Sequence, residues 1–392
     1  MADEFAFDDV VDRFGTWSAN WDVHGSDFDP PLISMAVAEM EFPTARPVRR
    51  AVEQSASRGV YSYTEVFPDF GRACSGWFAR HHSFEFSPES VVFAPRIVEV
   101  VSAILNHVLA DHPKVVTLSP AYGPILEVVR ESGCAVVEVP LLGSPRDGWS
   151  IDFDLLAQSL ASAEVFILTN PHNPTGRVWS ESELEAVADA VRASGVLVIS
   201  DDIHGDVTRP DHSWLPLARV APDLSESGRI ITCLSPGKTF NMAGLEASAI
   251  VVENETLRNQ LKRAIRAAGL HNPNYFAIPA AIAAWTDGDS WLAAVNSYID
   301  ANLRYVHERF SRELAGVVSA IPEATFLMWV DGRELGLDKK KIDHITRDSN
   351  VLVTPGEDYG AHWAGYFRMS VAMPASMLSE AMDRLISALR IP

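Results

Sequence analysis

Ser235-Pro236-Gly237-Lys238-Thr239-Phe240-Asn241 follows closely on a β-branched run at 230–232 that predicts a buried strand. Two other polar segments follow similar runs, Asn170-Pro171-His172-Asn173-Pro174-Thr175-Gly176 and Ser200-Asp201-Asp202-Ile203-His204-Gly205-Asp206. Ligands of an open α/β sheet bind beyond the carboxyl ends of its strands. The three segments therefore predict one pocket that brings together an amine, an amide and a carboxylate.

β-Branched runs alternate with helical stretches from about residue 114 to residue 252, which is typical of a largely parallel α/β sheet. One helix is indicated at both ends, because Ser180 and Glu183 have capping-box spacing and Gly195 supplies a stop. The predicted strands are 115–118, 135–139, 165–168, 196–199, 230–232 and 249–252. The fold class is therefore α/β.

The pattern changes after about residue 285, which indicates a second, smaller α+β domain. We predict an N-terminal arm and part of the small domain at 1–48, a large ligand-binding domain at 49–285 and a C-terminal small domain at 286–392. The arm is expected to pack on the small domain or on a partner subunit. The small domain's predicted elements are a long helix around 291–314, strands around 325–330 and 366–371, and a closing helix that buries Leu378, Met382, Leu385 and Leu389.

Composition excludes several classes of partner. A formal charge of −20 over 392 residues argues against nucleic acid or an anionic membrane surface, since both require clustered cations. The sequence shows no secretory leader pattern and no apolar run of the ~20 residues that a bilayer requires. Cys74, Cys134 and Cys233 are far apart, which favours reduced thiols over a disulfide or metal site. We expect a cytoplasmic protein.

The predicted pocket suits pyridoxal phosphate (PLP), a cofactor that requires an amine for its aldehyde and a carboxylate beside its ring nitrogen. Lys238 is predicted to form the Schiff base, because it is one of only six lysines beside 26 arginines, and arginine cannot form one. Asp201 is predicted to hold the ring nitrogen, and Asn173 the 3-hydroxyl oxygen, while His204 reaches the same region. Taken alone, Asp201 could be a helix N-cap and His204 a structural histidine, so the prediction depends on their combination.

Other segments supply the rest of the expected site. Ser235 and the backbone N–H groups of a helix that begins near Arg96-Ile97-Val98 are predicted to hold the phosphate, with added charge from Arg96. Tyr122 is predicted to stack on the ring and to be catalytic together with Lys238 and Asp201. Arg368 lies on a predicted strand, and its planar fork suits a substrate carboxylate.

The chain resembles fold type I PLP enzymes of the class I/II aminotransferase superfamily, and within it the cystathionine β-lyase (PatB-type C-S lyase) branch. The resemblance rests on Ser-Asp-Asp-Ile-His at 200–204, on Lys-Thr-Phe-Asn at 238–241 and on Ala-Val-Ala-Glu-Met-Glu-Phe at 36–42. It implies the aspartate aminotransferase-like fold. Through Tyr-Ser-Tyr-Thr at 61–64 it also implies a homodimer with shared active sites, in which Tyr63 reaches the phosphate and the substrate of the neighbouring subunit. Asn173 is expected to contact the substrate as well.

The chain departs from the branch at several positions. Arg96 stands where a glycine is usual, and Ala36 and Glu39 replace tryptophan and aspartate. Pro236-Gly237 precede the lysine, where the lyases tend to have a small residue followed by threonine. Glu246 occupies a position where aminotransferases often carry a phosphate-binding arginine. These changes leave the fold and cofactor as implied, but they bear on the choice of substrate.

The activity implied is carbon–sulfur β-elimination, in which cystathionine or another cysteine S-conjugate gives a thiol, pyruvate and ammonia. Lys238 would act as the general base while Asp201 maintains the electron sink and Arg368 orients the substrate. Three alternatives stay open at this point. They are an aminotransferase, a tailoring enzyme of secondary metabolism that cleaves or decarboxylates a bulky S-conjugate, and a regulatory protein that keeps PLP as a structural ligand.

Overall fold

A computed structural model describes residues 5–24, 28–109 and 112–390 of the chain. Its strands are, in chain order, β1 (Ile33–Ser34), β2 (Val91–Ala94), β3 (Lys114–Ser119), β4 (Ala135–Pro140), β5 (Leu142–Ser144), β6 (Gly148–Ser150), β7 (Val165–Thr169), β8 (Leu197–Asp201), β9 (Ile230–Leu234), β10 (Ser248–Val251), β11 (Leu327–Asp331), β12 (Val351–Leu352), β13 (Thr354–Pro355) and β14 (Tyr366–Ser370). All six strands predicted between 114 and 252 are present.

The largest sheet has seven strands, in the order β2-β10-β9-β8-β7-β3-β4. β10 runs antiparallel to both of its neighbours, and the remaining pairs are parallel. Every residue of β7, β8 and β9 is buried, since helices cover both faces of the sheet. This explains why the central strands appear in the sequence as continuous apolar runs, and it confirms the predicted α/β class.

The described α-helices are Arg46–Ser57, Pro68–His82, Ile97–His107, Gly123–Glu131, Phe153–Leu160, Glu181–Ser194, Leu217–Val220, Pro222–Glu226, Pro236–Thr239, Glu255–Ala267, Ala277–Asp287, Asp289–Glu313, Lys339–Ser349 and Ala375–Leu389, and a short 3-10 helix, Ala243–Leu245, precedes β10. The helix Glu181–Ser194 has the predicted ends. Ser180 Oγ accepts from the N–H of Glu183, the Glu183 carboxylate accepts from the N–H of Ser180, and Gly195 follows at φ 73°. Among the described residues, no helix is long and apolar enough to cross a membrane.

The small antiparallel sheet has the order β11-β14-β13 and packs with the last helices of the chain. The strand predicted around 325–330 begins two residues later, at Leu327, because Thr325 has φ 71° and cannot continue a pleated ladder. The closing helix buries Leu378, Met382, Leu385 and Leu389, as its periodicity predicts.

The N-terminal segment packs on the small sheet of its own chain. β1 pairs in parallel with β12, and the N–H of Ser370 donates to the carbonyl of Met35 at 2.7 Å. Residues 1–4 and 25–27 of the predicted arm and 391–392 of the predicted small domain lie outside the described residues. Both predicted boundaries, after 48 and after 285, lie inside helices, so the domain division stays a proposal.

Candidate active site

A cavity of about 150 Å³ lies beyond the carboxyl ends of β7, β8 and β9, and we call it the inner cavity. Nine residues predicted from the sequence line it: Arg96, Ile97, Val98, Tyr122, Asn173, Asp201, His204, Ser235 and Lys238. They converge because parallel strands end at the same edge of the sheet, so loops far apart in sequence meet there.

Lys238 lies in the short helix Pro236–Thr239, which follows β9. Its Nζ donates to the carbonyl of Ala38 at 2.6 Å. Burial and the positive charge of Arg368 together lower the pKa of Lys238 to about 8, against the opposing charges of Glu39 and Asp201. A substantial fraction of this amine is therefore neutral, and nucleophilic, near physiological pH.

Asp201 is the last residue of β8, and its carboxylate is buried at the sheet edge. Burial raises the pKa of Asp201 to about 6, although the N–H of Ile203 and the charge of Lys238 favour the ionised form. The carboxylate accepts from that N–H at 3.5 Å, which is a long hydrogen bond. A cationic ring nitrogen beside Asp201 would stabilise the ionised carboxylate.

His204 lies three residues further on, and only 1% of its surface is exposed. Within the described part of the chain, neither Nδ1 nor Nε2 has a hydrogen-bond partner. Burial lowers the pKa of His204 to about 3, assisted by the charges of Lys238 and Arg368, so the ring is neutral. Buried polar atoms without partners are rare in folded proteins, which makes this imidazole a candidate ligand contact.

Arg368 reaches the site from β14 of the three-stranded sheet. Its Nη1 donates to Asn173 Oδ1 at 3.2 Å and its Nη2 to the carbonyl of Ala36, while its guanidinium lies 5.2 Å from the ring centre of Tyr359. Its Nε has no partner among the described residues. The three-stranded sheet therefore presents a fixed, partly unsatisfied cation to the inner cavity.

The expected phosphate end lies at the start of the helix Ile97–His107, where the first backbone N–H groups have no partner within the helix. Ser235 Oγ lines the cavity but already accepts from the N–H of Gly237 at 3.0 Å and donates to the carbonyl of Ala247 at 2.7 Å. The Arg96 side chain is 60% exposed, and its Nη2 lies 3.0 Å from a Glu246 oxygen and 3.2 Å from a Glu99 oxygen.

The two predicted tyrosines have different positions. Tyr122 lines the inner cavity just before the helix Gly123–Glu131, and burial raises the pKa of its hydroxyl. Tyr63 is 95% exposed and does not line the inner cavity of its own chain. Its predicted role requires a second subunit.

A hydrogen-bond network behind Lys238 was not predicted. Asp206 accepts from Thr239 Oγ1 at 2.7 Å and from Trp77 Nε1 at 3.0 Å, and it contacts His82 Nε2 at 2.6 Å. Burial raises the pKa of Asp206, but the contacts with His82, Thr239 and Trp77 outweigh this effect and lower it. The sequence indicates this network only through Asp206 itself, an acidic residue two positions after His204. Its partners Trp77 and His82 are more than 120 positions away in the sequence, so no local pattern connects them.

Asn241 makes a second unpredicted arrangement. Its Nδ2 donates to the carbonyls of Met40 and Phe42, both at 2.8 Å, and its Oδ1 accepts from the N–H of Met40 at 3.1 Å. These bonds hold 38–42 across the mouth of the site, where the carbonyl of Ala38 meets Lys238. The segment that resembles the lyases at 36–42 is thus tied to the lysine motif.

Comparison with known proteins agrees with this geometry. The model for the family "Aminotransferase class I and II" matches residues 29–385. The chain belongs to this family. It is 32% identical to the cystathionine β-lyase PatB of Bacillus subtilis over 98% of this chain and 99% of that protein, and 31% identical to protein MalY of Escherichia coli over 98% and 99%. The PLP-bound C-S lyase of Staphylococcus hominis has 31% identity, a TM-score of 0.90 and 98% coverage of both chains.

The residues of this aminotransferase family member fit PLP. The inner cavity contains a partly buried amine of lowered pKa, a buried carboxylate and an imidazole whose two nitrogens have no partners among the described residues. It also contains a helix N-terminus, which favours a phosphate through its N–H groups and dipole. The amine matches the aldehyde of PLP, the carboxylate its ring nitrogen, the imidazole its 3-hydroxyl group and the helix N-terminus its phosphate.

Proposed function

We propose that the protein is a PLP-dependent carbon–sulfur β-lyase that cleaves cystathionine or another cysteine S-conjugate. The thioether and water would give a free thiol, pyruvate and ammonium. The observation that carries the proposal is the inner cavity, where Lys238, Asp201, Asn173 and His204 meet beside Arg368. The support for lyase chemistry is the likeness over 98% of the chain to relatives named cystathionine β-lyase and C-S lyase.

Lys238 would bond the cofactor aldehyde, and Asp201 would pair with the ring nitrogen. Asn173 and His204 would face the 3-hydroxyl group, and Tyr122 would lie against the ring. The N–H groups of Ile97 and Val98 would hold the phosphate together with Ser235, and the positive charge of Arg96 would favour an anion at that end without its guanidinium being taken up by the phosphate. Bound PLP withdraws electrons from the substrate α-carbon, which makes its proton acidic and lets a group leave from the β-carbon.

The protein's own residues would then act on the substrate. Arg368 would bind the α-carboxylate and fix the orientation of the α-carbon. Once the substrate amine has displaced it, Lys238 Nζ would take the α-proton, and its lowered pKa provides a neutral amine for this step. The buried surroundings of Asp201 and His204 would exclude bulk water from the reacting atoms.

An aminotransferase is the second candidate, since the matching family is that of class I and II aminotransferases. Lys238 and Asp201 would have the same roles in both reactions, which differ in whether the substrate loses its β-substituent or transfers its amino group to a 2-oxo acid. The inner cavity alone does not distinguish them, so the products must be measured.

We further propose a cytoplasmic homodimer with shared active sites. The segment 60–67 supports a subunit contact, because Val60, Tyr61, Tyr63 and Phe67 are all largely exposed. Tyr63 would contact the phosphate and substrate of the neighbouring subunit. Three free, buried cysteines fit a reducing compartment.

The test is to supply holoenzyme with cystathionine or S-methylcysteine and to measure pyruvate and free thiol, then to supply an amino acid with a 2-oxo acid and measure amino-group exchange. Equimolar pyruvate and thiol are expected. Exchange without thiol would show an aminotransferase. Lys238→Ala should abolish the activity, whereas Lys262→Ala, at an exposed position on the helix Glu255–Ala267, should not.

A further inference from the structure

A second cavity, which we call the outer cavity, adjoins the inner one. It has a volume of about 950 Å³, against about 150 Å³ for the inner cavity. Arg96, Tyr122 and Ala243 line both cavities, so these residues form the neck between them. A substrate whose reacting end is held by Lys238 and Arg368 would extend its sulfur substituent through this neck.

Two ion-pair groups line the outer cavity, and they differ in their surroundings. Arg13 lies 3.1 Å from oxygens of both Glu39 and Glu41, and Glu41 also accepts from Trp21 Nε1 at 3.1 Å. Glu41 is buried, so this first group is part of the packed wall. Breaking it would leave a buried charge without a partner, which is unfavourable.

The second group is the pair Arg96–Glu246, whose side chains are 60% and 37% exposed. Such half-exposed pairs contribute little to stability, so a ligand can open this one easily. The guanidinium has five N–H donors, and its contact with Glu246 at 3.0 Å is made through Nη2, which leaves donors for a further anion. The pair presents one cation and one anion side by side at the neck.

The backbone of Glu246 indicates that its position is constrained. Glu246 follows the short helix Ala243–Leu245 and has φ 54° and ψ 62°, the left-handed region that residues other than glycine, asparagine and aspartate seldom adopt. Strained backbone of this kind is found preferentially at ligand sites. In this conformation the carboxylate of Glu246 lies 3.0 Å from Arg96 beside the outer cavity.

On the basis of the proposed function, we propose that the Arg96–Glu246 pair binds an amino-acid head group at the far end of the substrate. Arg96 would bind the distal carboxylate and Glu246 the distal ammonium. A zwitterion replaces one protein ion pair by two without adding net charge to the cleft, so the charges stay balanced. The substrate class is then a cysteine thioether that ends in a second amino-acid group, such as cystathionine, in preference to a simple S-alkyl cysteine.

The test is the ratio of kcat/KM for cystathionine to kcat/KM for S-methylcysteine, which has the same reacting end but no distal group. Glu246→Gln keeps the size of the side chain and removes its charge, and it should lower the ratio by about tenfold or more, as expected for a lost charge-assisted contact. Glu99→Gln is the matched control. Glu99 also contacts Arg96, at 3.2 Å, but it lines neither cavity, so the ratio should stay within about twofold.

A binding measurement separates recognition from turnover. The carbon analogue of cystathionine, 2,7-diaminosuberate, has no thiol to eliminate, and calorimetry should show that it binds the Glu246→Gln holoenzyme about tenfold more weakly than the wild type. Unchanged binding and an unchanged ratio would overturn the inference while thiol release from both substrates leaves the lyase proposal standing. If the wild-type holoenzyme released no thiol from either substrate, the lyase proposal itself would fail.

Discussion

The rate at which PLP attaches to Lys238 should depend on pH in a way that reports the inner cavity. Burial and the charge of Arg368 lower the pKa of Lys238 from 10.5 to about 8. At pH 7 about a tenth of such an amine is neutral, against roughly one part in 3,000 for an ordinary lysine. The attachment rate at pH 7 should therefore exceed that of an unperturbed lysine by about 300-fold.

The direction of the pH dependence follows from the lowering of the Lys238 pKa. Because the pKa is lowered to about 8, the reactive neutral form is about half populated at pH 8 and almost fully populated above about pH 9, and well below pH 8 it falls about tenfold for each unit of pH. Apoprotein would be mixed with PLP between pH 6 and pH 10.5, quenched with borohydride, and the modified Lys238 peptide quantified by mass spectrometry. The rate should bend near pH 8 and level off by about pH 9.

Removing the positive charge of Arg368 tests the origin of the lowered Lys238 pKa. Arg368→Gln removes the cation that lowers the pKa of Lys238, so the pH at which the rate levels off should move upward. Arg333→Gln is the control, because it also removes an arginine charge but Arg333 does not contribute to the pKa shift of Lys238. Arg333 lies just after β11, is half-exposed and pairs with Asp331 at 2.7 Å. A wild-type rate that still rises between pH 9 and pH 10.5 would refute the argument that the pocket depresses this pKa.

Three further changes test the supports around the site. Asn241→Ala removes three hydrogen bonds to 38–42 and should lower the free energy of unfolding by about 2–3 kcal/mol in chemical denaturation. Gly176→Ala should destabilise the protein by about 2 kcal/mol more than Gly148→Ala: both glycines have positive φ, but only at Gly176 would a Cβ meet Pro322, at 2.3 Å. Gly244→Val would place a side chain in the outer cavity, where a Cβ has no neighbour within 4 Å, and should reduce kcat/KM for cystathionine at least about fivefold more than for S-methylcysteine.

The central sheet was predictable because each of its strands is encoded locally. Strands buried on both faces appear as β-branched runs, and the helix Glu181–Ser194 has its cap and its stop in its own sequence. The convergence of Asn173, Asp201 and Lys238 followed from one rule about where parallel strands end. The start of β11 was displaced because nothing local to Thr325 signals its left-handed backbone.

Contacts over long sequence separations were not predictable in the same way. The Asp206 network joins Thr239 to Trp77 and His82 of a distant helix, and the pairing of Arg96 with Glu246 joins residues 150 positions apart. A single sequence shows which polar residues are present but not which of them meet, because a side-chain contact depends on the packing of whole elements.

The amino-acid sequence by itself determined the strand pattern, the class of the fold and the residue types that a PLP site requires, since these depend on periodicity and on chemistry carried by neighbouring residues. Only the tertiary structure decided that Lys238 and Asp201 are buried enough for their pKa values to move, that Arg368 enters from the three-stranded sheet, and that Tyr63 stays outside its own chain's cavity. The reason is physical: desolvation and charge proximity are properties of three-dimensional surroundings, and those surroundings are assembled from segments that no local pattern connects.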